Sequence, residues 1–172
     1  MPAGTIMRNP AAGAAITIAV VGAAAILGAF YFQYALGLAP CPLCLEQRIA
    51  YYVAIPLALI LAFAAARSAP RGLLVAGLAV IALAMLVNAG LGVYHAGVEW
   101  KFWPGPTDCS GPVTNLGRAS DLMSKLRNVT VVRCDEAAWR FLGLSLAGYN
   151  VLISAALAGV AAWGAARMRR SA

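Results

Sequence analysis

Charge is scarce in this chain of 172 residues, which has 13 Lys or Arg, six Asp or Glu and a single His. Charged residues make up 11% and apolar ones 62%, against about 25% and about 45–50% in an ordinary soluble domain. A water-soluble globule is excluded on that balance. So is a disordered chain, which needs low hydrophobicity and high charge. The scarcity is also uneven. Residues 9–45, 49–66, 72–98 and 141–166 hold no Asp, Glu, Lys or Arg, in runs of 37, 18, 27 and 26 residues. Crossing a hydrocarbon core takes about 20 residues, within a range of roughly 17–25. Four crossings follow, with no internal repeat and no separate soluble domain.

The net charge of +7 invites a nucleic-acid reading, but the positions of the charges argue against it. Arg8, Arg67, Arg71, Arg167, Arg169 and Arg170 fall on one side of a four-span chain, with no acid among them. The other side holds Glu46, Arg48 and the segment 99–140, where six bases meet five acids. Such a bias is positive-inside asymmetry and needs no anionic ligand. It predicts cytoplasmic termini and places the other connections on the outside. The first apolar run is too long for a signal-peptide core of about 7–15 residues. Pro40 before Cys41 also suits a lipoprotein cleavage site poorly. An uncleaved helix is expected.

The fold class expected is all-α: an antiparallel four-transmembrane-helix bundle in a single membrane domain over 1–172. Spans are expected at about 14–38, 49–66, 72–94 and 144–166, with an outer loop over about 96–141. Small residues in span 1 allow close helix approach, and Tyr31, Phe32 and Tyr34 mark its outer interface. Pro40-Cys41-Pro42 breaks the chain before span 2, and Pro42 suits a first helical turn. Pro56 predicts a kink. Asn88, the one strongly polar residue inside span 3, is expected to face other helices. Trp100-Lys101-Phe102-Trp103 reads as an interfacial anchor. Leu116, Ala119, Leu122, Met123 and Leu126 recur at helical spacing and predict a short amphipathic surface helix.

No cysteine lies within a span or on the cytoplasmic side. Cys41 and Cys44 fall in the 1–2 connection, and Cys109 and Cys134 in the 3–4 loop. By parity both connections share one compartment, the outer one, where disulfides persist. Cys41-Pro42-Leu43-Cys44 is a C-x-x-C, whose small ring favours a reactive disulfide. A helix beginning near Pro42 puts Cys44 in its first turn, where the thiolate is stabilised. Arg48 follows one turn later on the same face, available to a thiolate and to an anionic acceptor. His95 closes span 3 and reads either as an interfacial capping group or as a proton carrier near a redox site. Two bland alternatives stand beside the redox reading: structural loop disulfides and a zinc site.

These residues resemble the disulfide bond formation protein B (DsbB) family. The resemblance is carried by Cys41-Pro42-Leu43-Cys44-Leu45-Glu46-Gln47-Arg48, Tyr94-His95-Ala96-Gly97-Val98-Glu99-Trp100 and Trp103-Pro104-Gly105-Pro106-Thr107-Asp108-Cys109. Arg133-Cys134-Asp135 and Trp139-Arg140-Phe141-Leu142-Gly143-Leu144-Ser145 extend it. It implies an oxidoreductase that reoxidises a periplasmic thioredoxin-like (DsbA-like) disulfide oxidase and passes electrons to membrane quinone, ubiquinone or menaquinone. It further implies that Cys109 is attacked by the reduced partner and that Cys134, once released, engages Cys41. Cys44 then faces the quinone, with Arg48 and His95 beside it. A vitamin K epoxide reductase-like protein also joins a bundle, thiols and a quinone. C-x-x-C at the head of span 2 favours the DsbB-like order.

Overall fold

Residues 9–106 and 133–170 are described by the computed structural model. Cys109 and the expected surface helix over 116–126 lie outside them. Helix α1, Pro10–Phe30, starts where Asn9 caps it, its side chain accepting the Ala11 amide at 3.0 Å, and Pro10 needs no partner for an amide it lacks. It widens into a π turn over Tyr31–Ala35. Helix α2 runs Pro42–Ala66 and α3 runs Arg71–Glu99. A short antiparallel hairpin, β1 Arg140–Phe141 and β2 Leu144–Ser145, leads into α4, Leu146–Arg170.

All four long helices are apolar and long enough to cross a membrane, and the protein is a multi-pass helical membrane protein. Their boundaries extend the expected spans. α1 begins at Pro10 rather than 14, because Asn9 and Pro10 form a start signal just ahead of the Ala-rich run. α2 begins at Pro42 rather than 49, because the charges at Glu46 and Arg48 sit in an ordinary helical first stretch. α3 continues past Tyr94 to Glu99. The hairpin replaces what reads as the start of span 4. Its two-residue loop has positive φ at both Leu142 (48°) and Gly143 (83°), the condition for a tight turn that matches strand twist.

The helices form a ring in which each packs on the next in sequence and α4 closes against α1, while α1 and α3 face each other across a diagonal with little contact. The packing is most extensive between α3 and α4. The core is built of Ile18, Leu74, Leu78, Ile81, Met85 and Leu157 among many alanines. Small residues let backbones come close. A Cβ on Gly164 would lie 2.6 Å from the Cβ of Ala14, so α1 and α4 meet there only because Gly164 has no side chain. Large apolar side chains such as Val20, Leu27, Ile60, Leu83 and Val87 point outward. In water that would be costly, but in a bilayer it is the lipid-facing surface.

Candidate functional site

The polar side chains of the spans gather at one end. Cys41 is the N-cap of α2, in extended backbone, and its Sγ accepts the Cys44 amide at 3.3 Å. One helical turn brings the Cys44 sulfur back to 2.8 Å from that of Cys41. Hydrogen bonding to Cys44 and burial both push the Cys41 thiol up. Two thiolates on one tetrahedral zinc, at about 2.3 Å each, would stand roughly 3.8 Å apart. The sulfurs stand closer than that, and with His95 they offer three ligand atoms within 4.8 Å of one another.

Cys134 is wholly buried in a small cluster with Cys41 and Leu43, flanked by Cys44 and Leu91. Exposed ion pairs flank the returning chain there. Asp135 accepts from Lys101 at 2.6 Å and from Arg133 at 2.8 Å, and these cations hold its carboxyl well below the usual carboxylate range. Three of the four cysteines thus meet where α2 starts and α3 finishes.

His95 is buried, 3% exposed, with Nε2 at 3.5 Å from the Cys41 sulfur. The interfacial-cap reading is thereby corrected: α3 runs another turn and carries the ring inside the bundle. Its tautomer follows from a chain of hydrogen bonds. The Asn150 amide donates to Gln47 Oε1 at 2.6 Å, so the Gln47 amide nitrogen faces His95 Nδ1 at 2.8 Å and donates to it. Nδ1 therefore accepts, and the ring hydrogen of neutral His95 sits on Nε2. Asn150 is itself fixed, because its oxygen accepts from the Tyr51 hydroxyl at 2.8 Å. Ser154 accepts from Asn88 at 2.9 Å in the same cluster. Asn88 faces other helices as expected.

Arg48 donates to Gln33 Oε1 at 2.6 Å, and its guanidinium lies 5.5 Å over the Phe30 ring. The π turn carries Gln33 to that position. Beside Arg48 opens a cavity of about 580 Å³, within the usual range for small-ligand sites. Its walls are almost wholly apolar, from α1, α4 and the hairpin. Its polar lining includes Cys44, Gln47, Arg48, His95, Tyr149 and Asn150. Trp139 closes one side, stacked on Phe141 at 5.8 Å and 4.9 Å from Phe32. At the rim Trp103 donates to the Tyr94 carbonyl at 2.9 Å and covers Gly97, where a Cβ would fall 2.0 Å from the ring.

The structure thus brings together Cys41, Cys44, Cys134, Arg48 and His95, with Cys109 outside the described residues. Gln33, Gln47, Glu99 and Asn150 belong to the same place and do not stand out in the sequence by motif. Gln33 and Asn150 were nevertheless signalled by being amides in otherwise apolar runs, which usually means a partner across the bundle.

Such a bundle, with a C-x-x-C at a helix start beside an apolar cavity, defines a membrane-embedded thiol protein. The family profile of disulfide bond formation protein DsbB matches residues 11–164. The chain is 35% identical over 133 residues to disulfide bond formation protein B of Marinobacter nauticus, covering 72% of this chain and 73% of that one. It is 31% identical over 145 residues to the protein of that name from Xanthomonas axonopodis pv. citri, covering 83% of each. Disulfide bond formation protein B 2 of Pseudomonas syringae pv. syringae is 32% identical over 148 residues, 82% of this chain and 81% of that one. The chain belongs to the DsbB family.

Proposed function

We propose that this protein is an inner-membrane oxidoreductase that takes electrons from a reduced periplasmic thioredoxin-fold (DsbA-like) oxidase and delivers them to membrane quinone. The observation that carries this reading is the cavity. Its apolar walls suit a lipid-soluble ring, and its polar lining brings a C-x-x-C sulfur and an arginine to one place. Family membership supports a role in disulfide bond formation and weighs against the structural-tetraspan and zinc alternatives.

Cys109 receives the partner's thiolate and forms the mixed disulfide. Cys134, released from Cys109, attacks Cys41 and so exposes Cys44, and the burial of Cys134 beside Cys41 suits that exchange. Arg48 holds positive charge at the cavity wall for the thiolate and for a reduced oxygen, and His95 directs its Nε2 hydrogen at the sulfur pair. Bound quinone supplies a sink for two electrons and two protons. The driving force has to be strong, because a DsbA-type disulfide sits at about −120 mV and the glutathione pool lies well below it. The basic side, with Arg67, Arg71 and the Arg167–Arg170 end, faces the cytoplasm.

The test is direct. Purified protein is mixed with a reduced thioredoxin-like oxidase and ubiquinone or menaquinone, and quinone absorbance is followed. Partner-dependent quinone reduction is expected. Its absence with both quinone classes overturns the reading.

A further inference from the structure

The oxidation of a thiol pair must dispose of protons, and the roles given above leave them unplaced. In its Nε2–H tautomer, His95 has no free lone pair facing the thiols, because Nδ1 is taken by Gln47. A base has to be found next to it. Glu99 is one helical turn beyond His95 on α3 and is 8% exposed, with Oε1 at 3.8 Å from His95 Nε2. Cys41 Sγ approaches that same nitrogen at 3.5 Å. The second carboxyl oxygen of Glu99, Oε2, is buried and has no hydrogen-bond partner among the described residues. An unsatisfied buried oxygen of this kind asks for an explanation, and an open lone pair on a carboxylate is a place for a proton.

We propose that Glu99 is the proton-holding group of the thiol site, taking a proton from the Cys41–Cys44 pair beside His95 and returning it to the reduced electron acceptor. The step balances. Once Cys109, freed by the partner's second thiol, has re-formed its disulfide with Cys134, Cys41 and Cys44 are both reduced; their two S–H bonds break, one S–S bond forms, and two electrons and two protons reach the quinone as hydroquinone. One proton goes by way of Glu99, which takes it from the pair while the His95 Nε2 hydrogen stays on the ring beside Cys41, and Glu99 then surrenders it and ends as it began. The groups facing Glu99 are few. His95 lies on its own helix. Cys44 from α2 interacts with it electrostatically. From the hairpin, the Ser145 hydroxyl donates to the carboxyl and the Arg140 guanidinium adds its charge. Ser145 and Arg140 keep the carboxyl in place without filling Oε2.

This inference deepens the proposed function and rests on it for the acceptor alone, so the experiment has two arms. In the first, without quinone, the alkylation rate of the reduced Cys41–Cys44 pair is measured against pH for wild type, Glu99→Gln and Glu99→Asp. The Gln variant keeps the shape and loses the proton site, so its profile should shift and lose one ionisation. The Asp variant should retain that ionisation. In the second arm, reduced protein is mixed with quinone across the same pH range. Glu99→Gln should slow the transfer at least tenfold, as loss of a general acid–base group does, and should flatten its pH dependence, with partial recovery in Glu99→Asp. Thiol and quinone profiles of Glu99→Gln matching wild type overturn the proposal. Should Glu99→Gln fail to fold, a Glu99→Asp profile indistinguishable from wild type in both arms overturns it equally. Wild type that shows the Glu99-dependent alkylation profile and reduces no quinone overturns the function reading instead, and leaves Glu99 coupled to the thiols.

Discussion

The two ends of the bundle are built on opposite rules. Where α1 starts and α4 finishes, Ala11, Ala12, Ala14 and Ala15 meet Ala158, Ala161, Gly164 and Ala165, and the contact is close and made by small apolar residues. Where α2 starts and α3 finishes, Gln33, Gln47, Arg48, His95, Glu99 and Asn150 surround the thiols, and the helices stand apart around a cavity. The first end gains stability from contact. The second gives up contact for reactive groups that must be held by hydrogen bonds instead. In a membrane such bonds average only about 0.6 kcal/mol each. The close-packed end is therefore what keeps the open one in register.

Substitutions should separate the two ends, and the largest effect is expected at the cavity. Arg48→Met keeps the stem and removes the charge and all five donors. Loss of a charged hydrogen bond is worth about 1.5–3 kcal/mol, so the quinone concentration needed for half-maximal turnover should rise tenfold or more. Unfolding in a detergent titration should stay near wild type. If both quinone dependence and turnover were unchanged, Arg48 would be a snorkelling interface residue.

The mirror experiment is Gly164→Leu. Ala14 and the Leu78 side chain leave no room for it, and overpacking typically costs about 1–3 kcal/mol. Unfolding should come at lower denaturant, while the folded fraction keeps the alkylation rate of Cys44. A loss of thiol reactivity in step with stability would show that the two ends are not separable.

The smallest effect belongs to the rim. Asp135 sits between Arg133 and Lys101, both exposed, where solvent screens the pairs. Its carboxyl is lowered in the folded protein, so its contribution is present above the ordinary carboxylate range and disappears as pH falls through the folded value. Asp135→Asn should leave turnover unchanged at neutral pH and should unfold slightly earlier. That difference should vanish in strong acid. A large loss of turnover would mean that these pairs, rather than burial, hold Cys134 in place.

The close-packed end was legible from the sequence because it obeys a sum: enough apolar residues without charge give a span, and alanine and glycine give close packing. Arg48 was legible too, as a cation one turn from a C-x-x-C. His95 was visible as the lone histidine, yet its burial was not, since the run of charge-free residues stops at Val98 and hides the final turn of α3. Glu99 reads as the first residue of a polar loop and is instead the last residue of a helix, turned inward beside Ser145. Gln47 on α2 and Asn150 on α4 are 103 positions apart, and only the folded bundle puts them in hydrogen-bond reach across its diagonal. Residue type marks a group as unusual in lipid, but the partner that explains it is a property of topology.

The π turn at Tyr31–Ala35 makes α1 sensitive to length as well as to composition. A π turn absorbs one residue more than an α turn without breaking the helix. Deleting a single residue there would restore α geometry, and the residues inside the turn would be redistributed over the narrower α turn while the helix before it keeps its phase. Gln33 would leave Arg48, and the aromatic face at Phe32 would leave Trp139. Side-chain changes along the lipid-facing stretch of α1 alter none of that phase. Along Tyr31–Ala35, residue count is the quantity the chain has to keep.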